Sequence, residues 1–333
     1  MRDNIAEFGG DPDCVLVFGQ SGGGAKIATM MAQPSAKGLF HRATTMSGQQ
    51  LTASGPFNAT KRAETYLAAL NLRPSDTKQL LKLTTEQLVA GLKAVDPETG
   101  SGGVYFGPVL DERTLTRHPF YPDAPPQSAH IPMMIGNTLD ETRLFIQDAW
   151  VYMLTWDDLP ERLAPNYRVD LDPETVIAKY REWFPGITPT DLFFKATTAG
   201  RSWRAAIVED ELRAQAGTPA YAYQVNFQSP LDGGKWHAAH TIDIALAFDN
   251  ADKPGAIAGN GPEARKLAAR MSETFIAFAR TGSPDNAALP EWKPYTLPNR
   301  ETMIFDVAPK MENDPRGRER ELFAKVPFIQ QGT

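Results

Sequence analysis

The sequence lacks several features that would define its chemistry directly. It has one cysteine, Cys14, which excludes an internal disulfide, and the apolar neighbours of this residue predict a small buried side chain. No apolar run reaches the roughly 18 residues of a membrane-spanning helix, so we expect no membrane span. Basic residues are not in excess, and the net charge of -6 argues against binding to nucleic acid. These absences favour a small-molecule partner.

The first residues contain no apolar core of a signal peptide, and the default expectation is a cytoplasmic protein. The balance of 42% hydrophobic and 22% charged residues is typical of a globular chain with a substantial core. The proline- and glycine-rich stretches are typical of surface loops rather than linkers. We therefore interpret residues 1–333 as one domain, and the sequence does not indicate its oligomeric state.

Short apolar runs typical of strands alternate with stretches in which apolar residues recur every three or four positions. The strand-like runs are Cys14–Phe18, Arg42–Met46, Pro132–Ile135, Ala220–Val225 and Thr302–Phe305. The helix-like stretches are Ala63–Leu70, Thr85–Val95, Pro173–Trp183, Arg204–Ala216 and Pro262–Arg280. This alternation predicts an α/β fold, a mostly parallel sheet with helices on both faces. The charged stretch Pro309–Glu321 is interpreted as a solvated surface or a frayed tail.

The run Gly19-Gln20-Ser21-Gly22-Gly23 lies between the first strand and a helix-like segment. This context is typical of a nucleophile elbow, in which a sharp turn projects the hydroxyl of Ser21 beyond the sheet. We expect the turn to leave no space for a Cβ at Gly19 or Gly23. The backbone N–H of Gly22 is then the first donor of an oxyanion hole. The aromatic-rich residues 141–194 interrupt the alternation and predict a helical insertion over this catalytic face.

A serine hydroxyl needs a general base, and histidine is the usual choice. Of the five histidines, His237 and His240 follow the strand Ala220–Val225, whose carboxyl end lies at the edge where Ser21 emerges. Spacing alone leaves both open as the base. The other three, which show no comparable pattern, are His41, His118 and His130.

The base needs an acid that orients it, and Asp140 and Glu141 follow the strand Pro132–Ile135. Spacing does not separate these two either. A metal site at the histidine pair is disfavoured, because no glutamate or cysteine cluster accompanies it. A nucleotide-binding loop is also disfavoured, because Ala25 separates the glycine run from Lys26 and no serine or threonine follows.

Longer matches show that the chain resembles the type B carboxylesterases, an α/β-hydrolase family that includes cholinesterases and bacterial carboxylesterases. The segment GQSGGGAK from Gly19 to Lys26 is a common bacterial form of the family's elbow. The segment Ile135–Glu141 is similar to its acid motif, and His240–Ile244 followed by Phe248 is similar to its histidine motif. The resemblance covers nearly the whole chain.

This resemblance implies Ser21 as nucleophile, His240 rather than His237 as base, and Glu141 rather than Asp140 as acid. The implied activity is hydrolysis of a small carboxylic ester through an acyl-enzyme, without cofactor or metal. The resemblance also implies a departure, because the family carries strands and a His-Gly-Gly oxyanion loop before the elbow and this sequence contains no His-Gly-Gly. We therefore expect the N-terminal part of the domain to be missing and the activity of these 333 residues to be weak or absent.

A second hypothesis comes from non-enzymatic relatives, in which a cholinesterase-like domain serves as a binding module. Those relatives tend to lack the serine. The joint presence of Ser21, Glu141 and His240 favours the enzyme over the binding module.

Overall fold

The computed structural model describes residues 1–100 and 102–330 and contains a six-stranded sheet in the order β1-β2-β3-β4-β5-β6. The strands are β1 Leu16–Gln20, β2 Arg42–Met46, β3 Met133–Thr138, β4 Ala220–Val225, β5 Glu301–Phe305 and β6 Lys310–Asn313. β1 to β5 are parallel, and β6 pairs antiparallel with β5. The predicted mostly parallel sheet is confirmed.

Ten α-helices connect or extend these strands in the described part of the chain. They are α1 Gly22–Ala32, α2 Pro56–Ala69, α3 Thr85–Gly91, α4 Leu159–Leu163, α5 Pro173–Trp183, α6 Pro189–Thr198, α7 Arg204–Gln215, α8 Ile242–Ala247, α9 Pro262–Thr281 and α10 Gly317–Phe323. The π-helical turn Ala199–Trp203 joins α6 to α7. The five predicted helices are present, and α5 has the predicted bounds. α2 begins earlier than expected, because Pro56 occupies its first turn and presets the backbone.

Both faces of the sheet are covered by apolar side chains, as a buried parallel sheet requires. On one face, Ile27 of α1 and Ala206 of α7 pack in a cluster with Met133 of β3. On the other face, residues of α8 and α9 pack in a cluster with Met134, the next residue of β3. Successive residues of a strand point to opposite faces, and this places the carboxyl ends of the strands between two packed helical layers.

β1 begins two residues later than predicted, at Leu16, and pairs with β2 as expected. Within the described residues it pairs with no other strand, so it lies at the edge of the sheet. Cys14, expected to be buried, is only half-buried for this reason. Phe18 is 38% exposed and packs against Phe248 and Phe275 beside an open groove.

The segment 141–194 is helical, as predicted, and contains α4, α5 and most of α6. It forms a hydrophobic cluster of its own, in which Tyr180 and Phe193 are fully buried. Phe323 of α10 belongs to the same cluster, so this layer also draws on the end of the chain. The assignment of residues 1–333 to a single domain with this insertion stays a prediction.

The interpretation of Pro309–Glu321 as a frayed tail is wrong, whereas a solvated surface holds for its exposed residues Lys310, Arg318 and Glu321. This stretch forms β6 and most of α10. Its two buried charges are paired: Arg316 donates to Glu319 at 2.6 Å and 2.7 Å, and Tyr180 donates to the same carboxylate at 2.5 Å. Charge density predicted exposure for the whole stretch, but at Arg316 and Glu319 a buried ion pair with a third hydrogen-bond partner satisfies both charges inside the protein.

Among residues 1–100 and 102–330, no helix is both long enough and apolar enough to cross a membrane.

The face of α7 toward the sheet contains a buried acidic side chain. Glu209 is 0% exposed and accepts a hydrogen bond from the Gln50 backbone N–H at 3.0 Å. Burial raises the pKa of Glu209 to about 8, although the Gln50 N–H and the charge of Arg213 act in the opposite direction. Asp210 beside it is also fully buried with a raised pKa. The folded protein therefore keeps a proton that the unfolded chain releases at lower pH.

We predict that Glu209→Gln removes part of the pH dependence of stability. Between the ordinary pKa of a glutamate, 4.5, and about 8, the folded state binds more protons than the unfolded state, so the free energy of unfolding falls as pH rises. From pH 5 to pH 8, the free energy of unfolding of the variant should rise by more than about 1 kcal/mol relative to that of the native protein. Urea unfolding at the two pH values measures this gain. The control is Glu161→Gln, at an exposed glutamate, and its free energy of unfolding should differ from that of the native protein by the same amount at pH 5 and at pH 8.

Candidate active site

Three segments that leave parallel strands meet at one edge of the sheet. Ser21 follows β1, Glu141 follows β3, and His240 lies in the segment after β4. Parallel strands place their carboxyl ends at the same edge, where α/β proteins commonly form their sites. The sequence expectation that these segments converge is therefore met in the fold.

The turn at Ser21 is strained in the way that an elbow requires. Ser21 has φ 56° and ψ -123°, a conformation that side-chain-bearing residues rarely adopt. Its backbone N–H donates to the Met46 carbonyl at 2.8 Å, which continues the pairing of β1 with β2 beyond the strand. α1 begins at the next residue, Gly22, so the free N–H groups of the first helical turn lie beside the serine.

The glycines of the elbow do not all have the role that the motif predicted. A Cβ on Gly19 would lie 2.6 Å from the Gly23 carbonyl carbon, so the expected lack of space is real there. At Gly23 the expectation is wrong, because a Cβ would meet nothing within 4 Å. The tightest position is Gly48, just after β2, where a Cβ would lie 1.7 Å from the Ser21 carbonyl oxygen. Gly24 is also tight, with the Gly48 oxygen 2.6 Å away. Sequence reasoning missed Gly48, because it lies in a different loop.

Glu141 and His240 form a buried pair. Glu141 Oε2 lies 2.5 Å from His240 Nδ1, and the two side chains are 0% and 4% exposed. The other oxygen of Glu141 accepts the Thr138 backbone N–H at 2.7 Å and the Asn137 amide at 3.4 Å. These bonds hold the carboxylate in place and orient the imidazole so that its second nitrogen is free of Glu141.

The pKa values of the pair move apart. Burial favours a neutral Glu141, but the His240 charge and the hydrogen bonds lower the pKa of the carboxyl below its ordinary value. Burial likewise favours a neutral His240, but the charge and hydrogen bond of Glu141 outweigh it and raise the pKa of the ring. The pair therefore stabilises an imidazolium, the form that a general base acquires when it accepts a proton.

Ser21 and His240 line the same cavity, which has a volume of about 270 Å³. The Ser21 hydroxyl makes no hydrogen bond to the described residues, and apo enzymes often tighten such contacts only with substrate. The Gln20 amide nitrogen lies 3.0 Å from His240 Nε2 and 3.2 Å from Nδ1. An atom almost equidistant from both ring nitrogens lies over the ring face, which leaves the in-plane position at Nε2 open.

The alternatives that spacing left open occupy different places. Asp140 is buried and accepts the Ala238 backbone N–H at 3.4 Å, so it holds the loop that carries the histidines. His237 lines a separate cavity with Asp191 and Lys195. Its pKa is lowered by burial and then by nearby Arg143. Neither Asp140 nor His237 lines the cavity of Ser21.

Two of the remaining histidines accept backbone hydrogen bonds. His41 accepts the Val15 backbone N–H at 3.3 Å, and His118 accepts the Ala53 backbone N–H at 3.0 Å. Over residues 1–100 and 102–330, histidine, cysteine, aspartate and glutamate form no cluster of three suited to a metal ion.

Two further residues contact the buried pair or its surroundings and were not identified from the sequence. The Phe145 ring packs on the His240 ring with centroids 4.6 Å apart. Asp243 is fully buried, and burial together with the Glu141 charge raises its pKa to about 7. Helical spacing does not relate Asp243 to His240, because α8 begins only at Ile242 and Thr241 before it has a left-handed backbone.

Comparison with known proteins identifies the relatives of this chain. A model of the Carboxylesterase family matches residues 1–167 and 191–323. The para-nitrobenzyl esterase of Bacillus subtilis is 31% identical over 96% of this chain and 64% of its own length. The phenmedipham hydrolase of Pseudarthrobacter oxydans is 30% identical over 88% of this chain and 59% of its own length. A crystal structure of a Geobacillus stearothermophilus carboxylesterase superposes with a TM-score of 0.81 at 33% identity, covering 97% of this chain and 66% of that one. This chain thus spans less than two thirds of each relative.

We predict that Gly48→Ala disrupts the elbow, whereas Gly23→Ala does not. The new methyl at Gly48 meets a backbone oxygen that cannot rotate away, so we expect a loss of roughly 3 kcal/mol in the free energy of unfolding. At Gly23 the methyl enters open space on a helix, and we expect a change between zero and a gain of about 1 kcal/mol. Urea unfolding measures both. Equal effects of the two substitutions would contradict this account of the turn.

Proposed function

Because this chain belongs to the carboxylesterase family and has its α/β-hydrolase fold, we propose that it hydrolyses small carboxylic esters with Ser21, His240 and Glu141 as a catalytic triad. The observation that carries the proposal is the buried Glu141–His240 hydrogen bond of 2.5 Å, with His240 and Ser21 on the wall of one cavity. A general base that is oriented by a carboxylate beside an elbow serine is the arrangement that acyl transfer needs.

In the proposed reaction, Ser21 Oγ attacks the ester carbonyl carbon while His240 Nε2 accepts the hydroxyl proton. The tetrahedral intermediate collapses, His240 gives the proton to the departing alcohol, and an acyl-Ser21 ester remains. A water molecule then attacks the acyl carbonyl as His240 accepts one of its protons. The acid is released when Ser21 regains a proton from the imidazolium. Glu141 stays ionised throughout and stabilises the imidazolium.

Negative charge develops on the carbonyl oxygen in both tetrahedral intermediates. The backbone N–H of Gly22 is the proposed donor to this oxygen, because it opens α1 directly after the nucleophile. The positive end of the helix dipole at the same place adds to the stabilisation. The proposed chemistry uses no metal ion or cofactor.

We predict that Ser21→Ala abolishes hydrolysis of short-chain aryl esters, which we expect to be weak at most in these 333 residues, and leaves the fold intact. The substitution removes a hydroxyl oxygen that faces the cavity and breaks no hydrogen bond to the described residues. The free energy of unfolding in urea should therefore equal that of the native protein. A fluorophosphonate reagent should label the native chain at Ser21 and fail to label the variant. Ser35→Ala, at an exposed serine, is the matched control. Undiminished hydrolysis by Ser21→Ala would end the assignment of Ser21 as the nucleophile.

We predict that Glu141→Gln lowers kcat by about a thousandfold or more, the order seen when a triad carboxylate is made neutral. The substitution should also lower the pKa of His240, because the carboxylate charge that raises it is gone while burial remains. The acidic limb of the kcat/KM profile should therefore move to lower pH. Besides burial, the Glu141 charge raises the pKa of Asp243, so Asp243 ionises more readily in the variant. Its negative charge then partly replaces that of Glu141 and limits the shift in the pKa of His240. An unmoved acidic limb would show that Glu141 does not act on His240.

A further inference from the structure

An irregular segment of the chain forms part of the wall of the Ser21 cavity. Residues 104–108 belong to no helix or strand, and Tyr105 among them lines the cavity. The next side chain, Phe106, packs instead on Tyr66 of α2, with ring centroids 5.2 Å apart. Side chains on irregular segments are held less precisely than those on helices or strands unless other contacts fix them. A defined position for Tyr105 therefore needs contacts outside its own segment.

The segment is attached to its surroundings on both sides of Tyr105. The Tyr105 backbone N–H donates to Asp96 Oδ2 at 3.0 Å. Further along the chain, the Ser54 N–H donates to the Pro108 carbonyl at 2.9 Å, and the Leu110 N–H donates to the Ser54 carbonyl at 2.9 Å. Asp96 and Ser54 are both buried. The backbone around Tyr105 is thus fixed by two anchors, Asp96 and Ser54, that lie outside the segment.

The ring of Tyr105 has a defined place relative to this backbone. A Cβ on Gly107 would lie 2.5 Å from Tyr105 Cε1, so the ring lies directly against the Gly107 backbone. Only a residue without a side chain leaves room for the ring there. Because the segment is held on both sides of Tyr105, the position of the ring on the cavity wall is held as well.

Arg62 of α2 joins the two anchors. Its Nε and Nη2 atoms donate to Asp96 at 2.7 Å and 3.3 Å, and its Nη1 atom donates to the Ser54 hydroxyl at 3.2 Å. Burial alone would raise the pKa of Asp96, but the Arg62 hydrogen bond and then the Tyr105 N–H lower it below its ordinary value. The carboxylate is therefore ionised and forms charge-assisted hydrogen bonds with the guanidinium. Arg62 is 3% exposed and does not itself line the described wall of the cavity.

The volume of the cavity limits the size of the ester that fits between Ser21 and Tyr105. A cavity of roughly 150 Å³ binds benzene, which has about six non-hydrogen atoms, so about 270 Å³ accommodates about eleven. By this measure phenyl acetate, with about ten, fits, and phenyl octanoate, with about 16, does not. The longer ester binds only if the wall moves or its tail leaves the cavity, and a ring that is fixed from outside resists the movement.

We propose that Arg62 is a positioning residue for substrate selection: it fixes Tyr105 on the wall of the Ser21 cavity, and the Tyr105 ring excludes esters much longer than phenyl acetate. This inference rests on the proposed function and names the substrate size together with the residues that set it. A guanidinium forms hydrogen bonds in fixed directions, so one side chain binds both anchors at once. Arg62 acts on the substrate only through Tyr105.

The test compares phenyl acetate with phenyl octanoate. In Tyr105→Ala the ratio of the two kcat/KM values, acetate over octanoate, should fall by about 10-fold or more, the order by which pocket contacts discriminate between substrates of different size. Arg62→Lys should also lower the ratio, because a lysine keeps the charge but cannot hold Asp96 and Ser54 in the same directions. The control Arg73→Lys changes the arginine of an exposed ion pair and should keep the native ratio.

Combining Arg62→Lys with Tyr105→Ala separates positioning from general destabilisation. If Arg62 acts through the Tyr105 ring, the double variant should have the same ratio as Tyr105→Ala alone, because the ring has already been removed. A further fall of the ratio in the double variant would contradict action through Tyr105.

Amide hydrogen exchange at Tyr105 measures how firmly the segment is held, without turnover. The exchange rate should rise by about 10-fold or more in Arg62→Lys, because the Asp96 carboxylate that accepts this N–H is no longer fixed. Ser54→Ala removes only the hydroxyl that Arg62 binds, and it should fold and give a smaller rise. This second variant tests the positioning role if Arg62→Lys does not fold.

An unchanged ester ratio in Tyr105→Ala, or unchanged Tyr105 exchange in the folded variants of Arg62 and Ser54, would overturn the proposal and leave the esterase proposal standing. If the native chain hydrolyses neither ester, the esterase proposal fails. Faster exchange at Tyr105 in the variants would then still support Arg62 as the residue that positions the cavity wall.

Discussion

The hydrogen bond between Glu141 and His240 joins two loops that leave neighbouring strands, 99 residues apart in the sequence. Both side chains are buried, and each would be neutral if it were buried alone. Together they keep the carboxylate ionised and make the imidazole more basic. Burial, followed by the charge of Glu141, raises the pKa of Asp243 to about 7. The electrostatics of the whole edge therefore depend on this contact, and loss of either partner leaves a buried polar group without compensation.

The position of the serine depends on a different constraint, which is the close approach of two backbone turns. Ser21 and Ser47, the residues that follow β1 and β2, both have positive φ. Their N–H groups continue the parallel ladder, Ser21 to the Met46 carbonyl and Ser47 to the Gly136 carbonyl. The contact is possible because Gly48 has no side chain. The register of the sheet thus reaches the reactive hydroxyl through backbone hydrogen bonds rather than side-chain packing.

Some charged residues of this protein are buried or partly buried, although a high density of charge in the sequence predicts exposure. Arg316 and Glu319 form a buried pair in a stretch that its charge density marked as solvated. Arg201 is partly buried on the wall of a cavity with no lining acid in the described residues. In the first case, the Arg316–Glu319 pair and Tyr180 satisfy one another where α10 packs against the helical layer.

Local periodicity was enough to predict the alternating strands and helices, the bounds of α5 and the strand–turn–helix context of Ser21, because each of these depends on residues close together in the sequence. The same residues left His237 and His240 equal as bases, and Asp140 and Glu141 equal as acids; the resemblance to a family chose between them. The closeness of Gly48 to Ser21, the Phe145 ring on His240 and the pairing of the charged end of the chain were decided by the tertiary structure. Such contacts join residues far apart in the sequence, and sheet register and loop paths, which no single segment encodes, bring them together.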